Sequence, residues 1–168
     1  SQQTKNISFR KKQLEKLLKE VTKREKDIVD ALYLDFKKSE YESVMTETSI
    51  VISELKRAIK NIQAWSKPQS VMPAFLNFPS SSKIYKEPYG TVLIIAPWNY
   101  PYQLAFAPLV GAIAAGNTVV LKPSELTPNT SKITKEIIEA VFDKNHVSVV
   151  EGGVDTSTNL LEQRWDYI

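Results

Sequence analysis

The side chains best suited to chemistry in this sequence follow two short apolar runs. Asn99 comes shortly after residues 91–96 (TVLIIA), and Lys122 and Glu125 close the run at residues 118–121 (TVVL). A lysine beside a glutamate is suited to binding a ribose, because the carboxylate accepts from both hydroxyls while the ammonium donates to one. Open parallel sheets bind ligands beyond the carboxyl ends of their strands, so the position of these side chains indicates a ligand site.

The elements that must position these residues form a strand–helix–strand unit. Residues 91–96 and 118–121 are apolar and rich in β-branched side chains, which predicts strands buried on both faces. Between them, residues 97–101 (PWNYP) break the first strand, and residues 103–115 form an apolar helix that ends at Gly116. Such a unit joins parallel strands through a right-handed crossover.

The same alternation continues to the end of the chain. Residues 127–130 (TPNT) predict a helix start, residues 146–150 a third short strand, and residues 156–165 a last helix. The fold class is therefore α/β: half of a doubly wound parallel, Rossmann-like nucleotide-binding sheet. We expect this part to occupy residues 89–168.

Residues 1–66 predict two long amphipathic helices that precede the sheet. Apolar side chains recur at helical spacing over residues 7–36, and again over residues 39–66, where Ser39 and Glu42 predict a capping box. The second apolar face is expected to contain Tyr41, Met45, Thr48, Ile52, Leu55, Ile59 and Ile62. A coiled-coil interaction module is the alternative, although the stripes are broad and the charges irregular.

Residues 67–88 separate the helices from the sheet. Three prolines between residues 67 and 82 argue against both helix and ladder strand, so we expect an extended linker there. Its apolar side chains, Val71, Met72, Phe75, Leu76 and Phe78, require cover. Residues 83–88 alternate in polarity and predict a short half-exposed strand, which can pair with another subunit.

Composition sets the class of protein. The chain has 168 residues, is 42% hydrophobic and carries a net charge of +3, which does not suggest a nucleic-acid partner. Residues 1–38 hold 11 Lys/Arg against 6 Asp/Glu, a surplus of 5 that leaves −2 for the remainder, and a solvated basic face explains this. The sequence has no cysteine and no apolar run of about 18 residues. We therefore expect a cytoplasmic protein with no membrane segment in this part.

Three motifs together carry a family resemblance. APWNYP at residues 96–101, LAFAPLVGAIAAGNTVV at residues 104–120 and KPSE at residues 122–125 resemble the aldehyde dehydrogenase superfamily, and within it the class 3-type, fatty-aldehyde-like branch. The resemblance implies an N-terminal portion of an NAD(P)-dependent enzyme that oxidises aldehydes to carboxylates through a cysteine thiohemiacetal. In the family that cysteine lies downstream of the matched motifs, so the fragment itself is expected to be inactive.

The resemblance also implies roles for individual residues. Asn99 matches the family's oxyanion-hole asparagine and is the candidate catalytic residue. The implied cofactor-binding residues are Ile95, Ala96, Trp98, Lys122, Glu125 and Gly153. Some of these residues have a simpler interpretation: Asn99 as a turn residue, the Lys122–Glu125 pair as solvated side chains near a helix start, and Gly153, with Gly152, as a tight turn.

The remaining expectations concern ligands and assembly. A carboxylate on the ribose disfavours a 2′-phosphate, which favours NAD, with NADP still possible because relatives often accept both. The other partners are a small-molecule aldehyde and, as implied by the resemblance, a second copy in a homodimer. No metal site is expected, since His146 is the single histidine and has no ligand-spaced partner. A stand-alone, non-catalytic nucleotide-binding or interaction module is the alternative function.

Overall fold

The computed structural model describes residues 2–77 and 79–168. Its helices are α1 (Gln2–Lys5), α2 (Ile7–Lys23), α3 (Glu25–Phe36), α4 (Glu40–Ser43), α5 (Ser49–Trp65), α6 (Gln103–Ala115), α7 (Pro128–Val141) and α8 (Val154–Leu161). A π-helical turn (Val44–Thr48) joins α4 to α5, and a 3₁₀ turn covers Phe75–Asn77. Its strands are β1 (Gln69–Val71), β2 (Ser82–Ile84), β3 (Thr91–Ile95), β4 (Thr118–Lys122) and β5 (Val147–Val149).

The main sheet has three parallel strands in the order β3-β4-β5. α6 connects β3 to β4, and α7 connects β4 to β5, which confirms the predicted βαβαβ order. After α8 the chain returns to the far side of β3, where Tyr167 forms a parallel bridge with Val92. This reversal of direction beside β3 is the switch point of a doubly wound sheet, so the predicted fold class is confirmed.

The N-terminal helices pack onto the helices of the sheet. α2 contacts α5, α6 and α7, while α3 contacts α7 and α5 contacts α6. One continuous apolar core runs from Leu14 in α2 through Phe106 in α6 to Leu121 in β4. The first long helix, predicted as one element, is interrupted at Arg24, whose backbone leaves the helical region. The Arg24 guanidinium donates to Glu136 of α7 at 2.7 Å, so the break serves a contact between layers.

The buried face of the second long helix matches the predicted one from Thr48 onward and differs before it. Thr48, Leu55 and Ile62 are buried, and Ile52 and Ile59 pack partly buried against the core. Tyr41 and Met45 are exposed, whereas Ser43 and Glu47 are buried. The π-helical turn causes this difference, because the Ser49 N–H bonds to the Val44 carbonyl and one extra residue rotates the face. The predicted Ser39 cap is present, since its hydroxyl accepts from the Glu42 N–H at 3.2 Å.

The segment predicted as an extended linker contains a strand. β1 pairs with β2 in an antiparallel two-stranded sheet, with Ser70 opposite Lys83, so the prolines lie outside the ladder. Met72, Phe75 and Leu76, which were expected to be covered, are almost fully exposed. Phe78 lies outside the described residues. Within the described residues, no helix is long and apolar enough to span a bilayer.

His146 links the sheet to the N-terminal helices. Its buried ring lies between those of Phe9 and Phe142, at centroid distances of 5.3 and 5.5 Å. Burial disfavours the imidazolium and lowers the pKa of His146, an effect that the charge of Asp143 partly opposes. The folded chain therefore favours the neutral ring.

We predict that acid weakens the fold through His146. The unfolded imidazole has an ordinary pKa near 6.5, so the unfolded chain takes up the proton first as the pH falls. The stability from neutral His146 is present above about pH 6.5 and is lost below it, by at most about 1.4 kcal/mol per pH unit. Urea unfolding at pH 7.5, 6.5 and 5.5 measures this slope. A His146→Leu variant should abolish it, and an unchanged slope in that variant would contradict the assignment.

Candidate functional site

The carboxyl ends of the three parallel strands meet at one edge of the sheet. Ile95, the last residue of β3, pairs in register with Lys122, the last residue of β4. The Ala96 N–H donates to the Lys122 carbonyl at 2.9 Å, and the Val150 N–H donates to the Leu121 carbonyl at 2.9 Å. The candidate residues from β3 and β4, and the turn after β5, therefore share this edge.

Lys122 and Glu125 form an ion pair at the end of β4. The Lys122 ammonium donates to Glu125 Oε2 at 2.9 Å and to the Pro123 carbonyl at 3.2 Å. The lysine side chain is 2% exposed and the glutamate 39% exposed, so the pair is anchored inside and open outside. The hydrogen bond from Lys122 lowers the pKa of Glu125, which keeps the carboxylate ionised. An ionised carboxylate with free lone pairs can accept from two hydroxyls of one ligand.

The loop between β3 and α6 presents exposed side chains at the same edge. Ile95, Trp98, Asn99 and Tyr100 are all exposed, while Ala96 is buried. Within the described part of the chain, the Asn99 side chain has no hydrogen bond to local backbone or to the Lys122–Glu125 pair. A turn residue that stabilised its own loop would make such a bond. The amide is therefore free to donate to a ligand.

The N-terminus of α6 is capped by a residue that sequence reasoning missed. Glu47, in the π-helical turn, accepts from the N–H groups of Tyr102 and Gln103 at 2.9 and 3.1 Å. Its other oxygen accepts from the Lys38 ammonium at 2.6 Å. Burial, together with the negative charges of Glu25 and Glu47, raises the pKa of Tyr102 well above its ordinary value. Glu47 lies four residues before Val51, a buried residue of α5. Helical spacing from Val51 was therefore the signal in the sequence that could have placed Glu47 on the buried face.

The N-terminus of α7 is capped in the same way. The Asp35 carboxylate, at the end of α3, accepts from the backbone N–H groups of Asn129 and Thr130 at 3.2 and 2.8 Å. It also accepts from their side chains at 2.8 and 2.7 Å. Neither α6 nor α7 has a side-chain hydrogen bond from its own N-cap residue. Both helices at this edge therefore begin on carboxylates from the N-terminal helices.

Glycine stands at two positions after β5, Gly152 and Gly153, for different structural reasons. Gly152 has a φ of 145°, and an added Cβ would collide with Thr156 Oγ1. Gly153 has a φ of −88°, and an added Cβ would meet no atom within 4 Å. A tight turn thus explains Gly152, whereas Gly153 leaves open space at the edge where a ligand can approach the backbone.

An apolar groove lies beside the polar edge. Its volume is about 520 Å³, and it runs between β3, α6 and the C-terminal residues Tyr167 and Ile168. Of the candidate residues, it contains Ile95 alone. The groove is mainly apolar, so it does not account for the charged Lys122–Glu125 pair.

Comparison with known proteins decides the family. The sequence profile of the aldehyde dehydrogenase family matches residues 2–165. The chain belongs to the aldehyde dehydrogenase family.

Among curated members of the aldehyde dehydrogenase family, the similarity covers the whole chain. The chain is 50% identical over 168 residues to the 4,4'-diaponeurosporen-aldehyde dehydrogenase of Staphylococcus aureus, which covers 100% of the chain and 37% of that protein. It is 44% identical over 165 residues to human aldehyde dehydrogenase family 3 member B1, covering 98% of the chain and 35% of that protein. The chain thus resembles class 3-type aldehyde dehydrogenases and spans about a third of their length.

Solved structures of aldehyde dehydrogenases show the same fold. The substrate-bound state of Staphylococcus aureus AldH superposes with a TM-score of 0.97 at 51% identity, covering 99% of this chain and 36% of that one. A Mycobacterium tuberculosis aldehyde dehydrogenase complexed with NAD+ gives a TM-score of 0.78 at 23% identity, covering 92% of this chain and 31% of that one. At that identity the second likeness concerns the fold alone.

We predict that alanine destabilises the fold at Gly152 and not at Gly153. Gly152→Ala should lower the free energy of unfolding by about 1–3 kcal/mol, because alanine disfavours that backbone conformation and meets Thr156. Gly153→Ala is the matched control and should change it by less than about 0.5 kcal/mol. Urea unfolding of both variants measures the difference. Equal losses would show that packing requires both glycines.

Proposed function

We propose that this chain supplies the oxyanion-binding residue and part of the cofactor site of an NAD(P)-dependent aldehyde dehydrogenase that oxidises aldehydes to carboxylates. The observation that carries the proposal is the exposed Asn99 amide, free of local bonds, at the edge that also holds the Lys122–Glu125 pair. The chain has no cysteine, so the nucleophile comes from another part of the complete polypeptide, and this chain alone has no turnover.

Asn99 stabilises the charge that develops on the aldehyde oxygen. Attack by a thiolate converts the carbonyl oxygen to an oxyanion, which a fixed amide N–H stabilises without reorganisation. Pro97 and Pro101 restrict the backbone on either side of Asn99, and the positive end of the α6 dipole, at Gln103, lies four residues beyond it. The backbone that carries the Asn99 amide is therefore restricted before the reaction.

The Lys122–Glu125 pair binds the adenosine ribose of the cofactor. The half-exposed Glu125 carboxylate accepts from the two hydroxyls, and Lys122, fixed by the Pro123 carbonyl, donates to one. Gly153 leaves room for the ligand, and the backbone of Ile95 and Ala96 with Trp98 lines the approach. A nicotinamide cofactor held here would supply the hydride acceptor that the oxidation requires. A carboxylate at this position repels a 2′-phosphate, so NAD is the favoured cofactor.

The exposed β1–β2 hairpin supports a homodimer of the complete enzyme. Met72, Phe75 and Leu76 form apolar surface that a second copy can cover. A cytoplasmic location belongs to the same proposal.

Asn99→Ala tests the oxyanion role in the complete polypeptide. The amide meets charge that appears only during attack, so its loss should lower the single-turnover rate about 10²–10³-fold. Cofactor affinity should change little, because the bond forms in the transition state. Single-turnover kinetics, cofactor titration and a melting curve measure the three effects.

Asn145→Ala is the matched control for that experiment. Asn145 is an exposed turn residue near the opposite end of β5, and its replacement should leave the rate unchanged. A folded Asn99→Ala variant with wild-type chemistry would make Asn99 a turn residue and overturn its catalytic role.

Glu125→Gln tests the cofactor role. Removing the charge should weaken NAD binding about tenfold, the worth of one charge-assisted hydrogen bond. NADP binding should fall less or improve, because a repulsion with the 2′-phosphate disappears. Titration with both cofactors measures the ratio of affinities, with the exposed Glu139→Gln as control. Equal losses for NAD and NADP would show that Glu125 has a structural role.

A further inference from the structure

The Glu47 carboxylate is buried, and both of its oxygens accept hydrogen bonds from the protein. Its side chain is 0% exposed, and that of its partner Lys38 is 8% exposed. One oxygen accepts from Lys38 at 2.6 Å, and the other accepts from the N–H groups of Tyr102 and Gln103 at 2.9 and 3.1 Å. This single side chain therefore ties the π-helical turn to the start of α6, 55 residues away.

Lys38 holds the same loop by a second contact. Its ammonium lies 4.5 Å from the centroid of the Tyr100 ring, close enough for a cation–π interaction. The Tyr100 carbonyl accepts from the Leu104 N–H at 2.9 Å, which fixes the backbone directly after Asn99. Glu47 and Lys38 together thus fix Tyr100, Tyr102 and Gln103.

Asn99 lies in a short loop whose backbone is fixed on both sides. On one side, Ala96 is bonded to the Lys122 carbonyl at the end of β4. On the other side, Tyr100 and Tyr102 are held by Lys38 and Glu47. Pro97 and Pro101 restrict the backbone between these anchors. A shift in the start of α6 must therefore move Asn99.

Stability alone does not explain a buried ion pair here. Apolar side chains of similar volume often replace such pairs without loss, because burying two charges is costly. Glu47 is placed inward by a π-helical turn, a distortion that is frequent at functional sites. The local structure is thus arranged to bring one carboxylate to the start of α6.

We propose that Glu47 is a positioning residue. Its carboxylate, paired with the Lys38 ammonium, fixes the start of α6 and so holds the Asn99 amide where the oxyanion forms. This rests on the proposed role of Asn99. Glu47 touches neither aldehyde nor cofactor and acts through the loop at residues 97–101. Its loss lowers the rate of the chemical step and leaves ligand affinity nearly unchanged.

Two double variants of the complete polypeptide isolate the cap. Lys38→Met removes the ammonium in both, so no buried charge is left unpaired. Glu47→Gln/Lys38→Met keeps an oxygen that can accept from Tyr102 and Gln103, whereas Glu47→Met/Lys38→Met has the same length without that acceptor. The Met variant should lose about tenfold or more in single-turnover rate, with KM and cofactor affinity within about threefold of wild type. The Gln variant should recover most of that rate.

The Asn99→Ala background separates this proposal from the one on which it rests. If Glu47 acts through Asn99, the Met and Gln variants should differ by less than about threefold once Asn99 is alanine. Wild-type chemistry in Asn99→Ala alone would overturn the role of Asn99. A normal rate for Glu47→Met/Lys38→Met, or a loss that persists in the Asn99→Ala background, would overturn the positioning role alone.

If the Glu47→Met/Lys38→Met variant does not fold, Glu47→Asp tests the positioning role instead. Aspartate retains the charge pair with Lys38 but is one methylene shorter, so it cannot satisfy all three donors in the same geometry. A rate loss that disappears in the Asn99→Ala background supports the proposal, and an unchanged rate overturns it.

Discussion

The first backbone N–H groups of a helix need hydrogen-bond acceptors, and for α6 and α7 these acceptors come from residues distant in the sequence. α6 and α7 both begin without a side-chain bond from their own N-cap residue, and the carboxylates of Glu47 and Asp35 supply the missing acceptors. Hydrogen bonds to charged groups are worth about 1.5–3 kcal/mol, more than neutral ones. The N-terminal helices therefore set the geometry of the sheet edge where the candidate site lies.

Two lysine–glutamate pairs at this edge differ in exposure, and the difference separates their roles. The carboxylate of the Lys38–Glu47 pair is buried, and both of its oxygens accept hydrogen bonds from protein donors. In the Lys122–Glu125 pair the lysine is buried and the glutamate is half exposed, so the carboxylate keeps lone pairs for a ligand. A buried, satisfied pair can position backbone, and an anchored, open pair can bind hydroxyl groups.

Two stretches of apolar surface are separate from the charged Lys122–Glu125 pair. Met72, Phe75 and Leu76 project from the β1–β2 hairpin, and the groove between β3 and α6 is lined mainly by apolar side chains. Aldehyde dehydrogenases similar to this chain are about three times as long, and the chain covers 37% of the Staphylococcus aureus relative. Apolar surface of this kind is suited to contacts with further protein.

Local sequence determined the alternation of strands and helices and the candidate residues at their ends. Short β-branched runs, Gly116 after α6, Pro128 at the start of α7 and the Ser39 cap each act through near neighbours, so their patterns predict structure. The break at Arg24, the π-helical turn and the caps from Glu47 and Asp35 were decided by tertiary structure. The α6 and α7 residues that Arg24, Glu47 and Asp35 contact lie 55 to 112 residues away, and a periodic pattern describes one helix face without indicating what it meets.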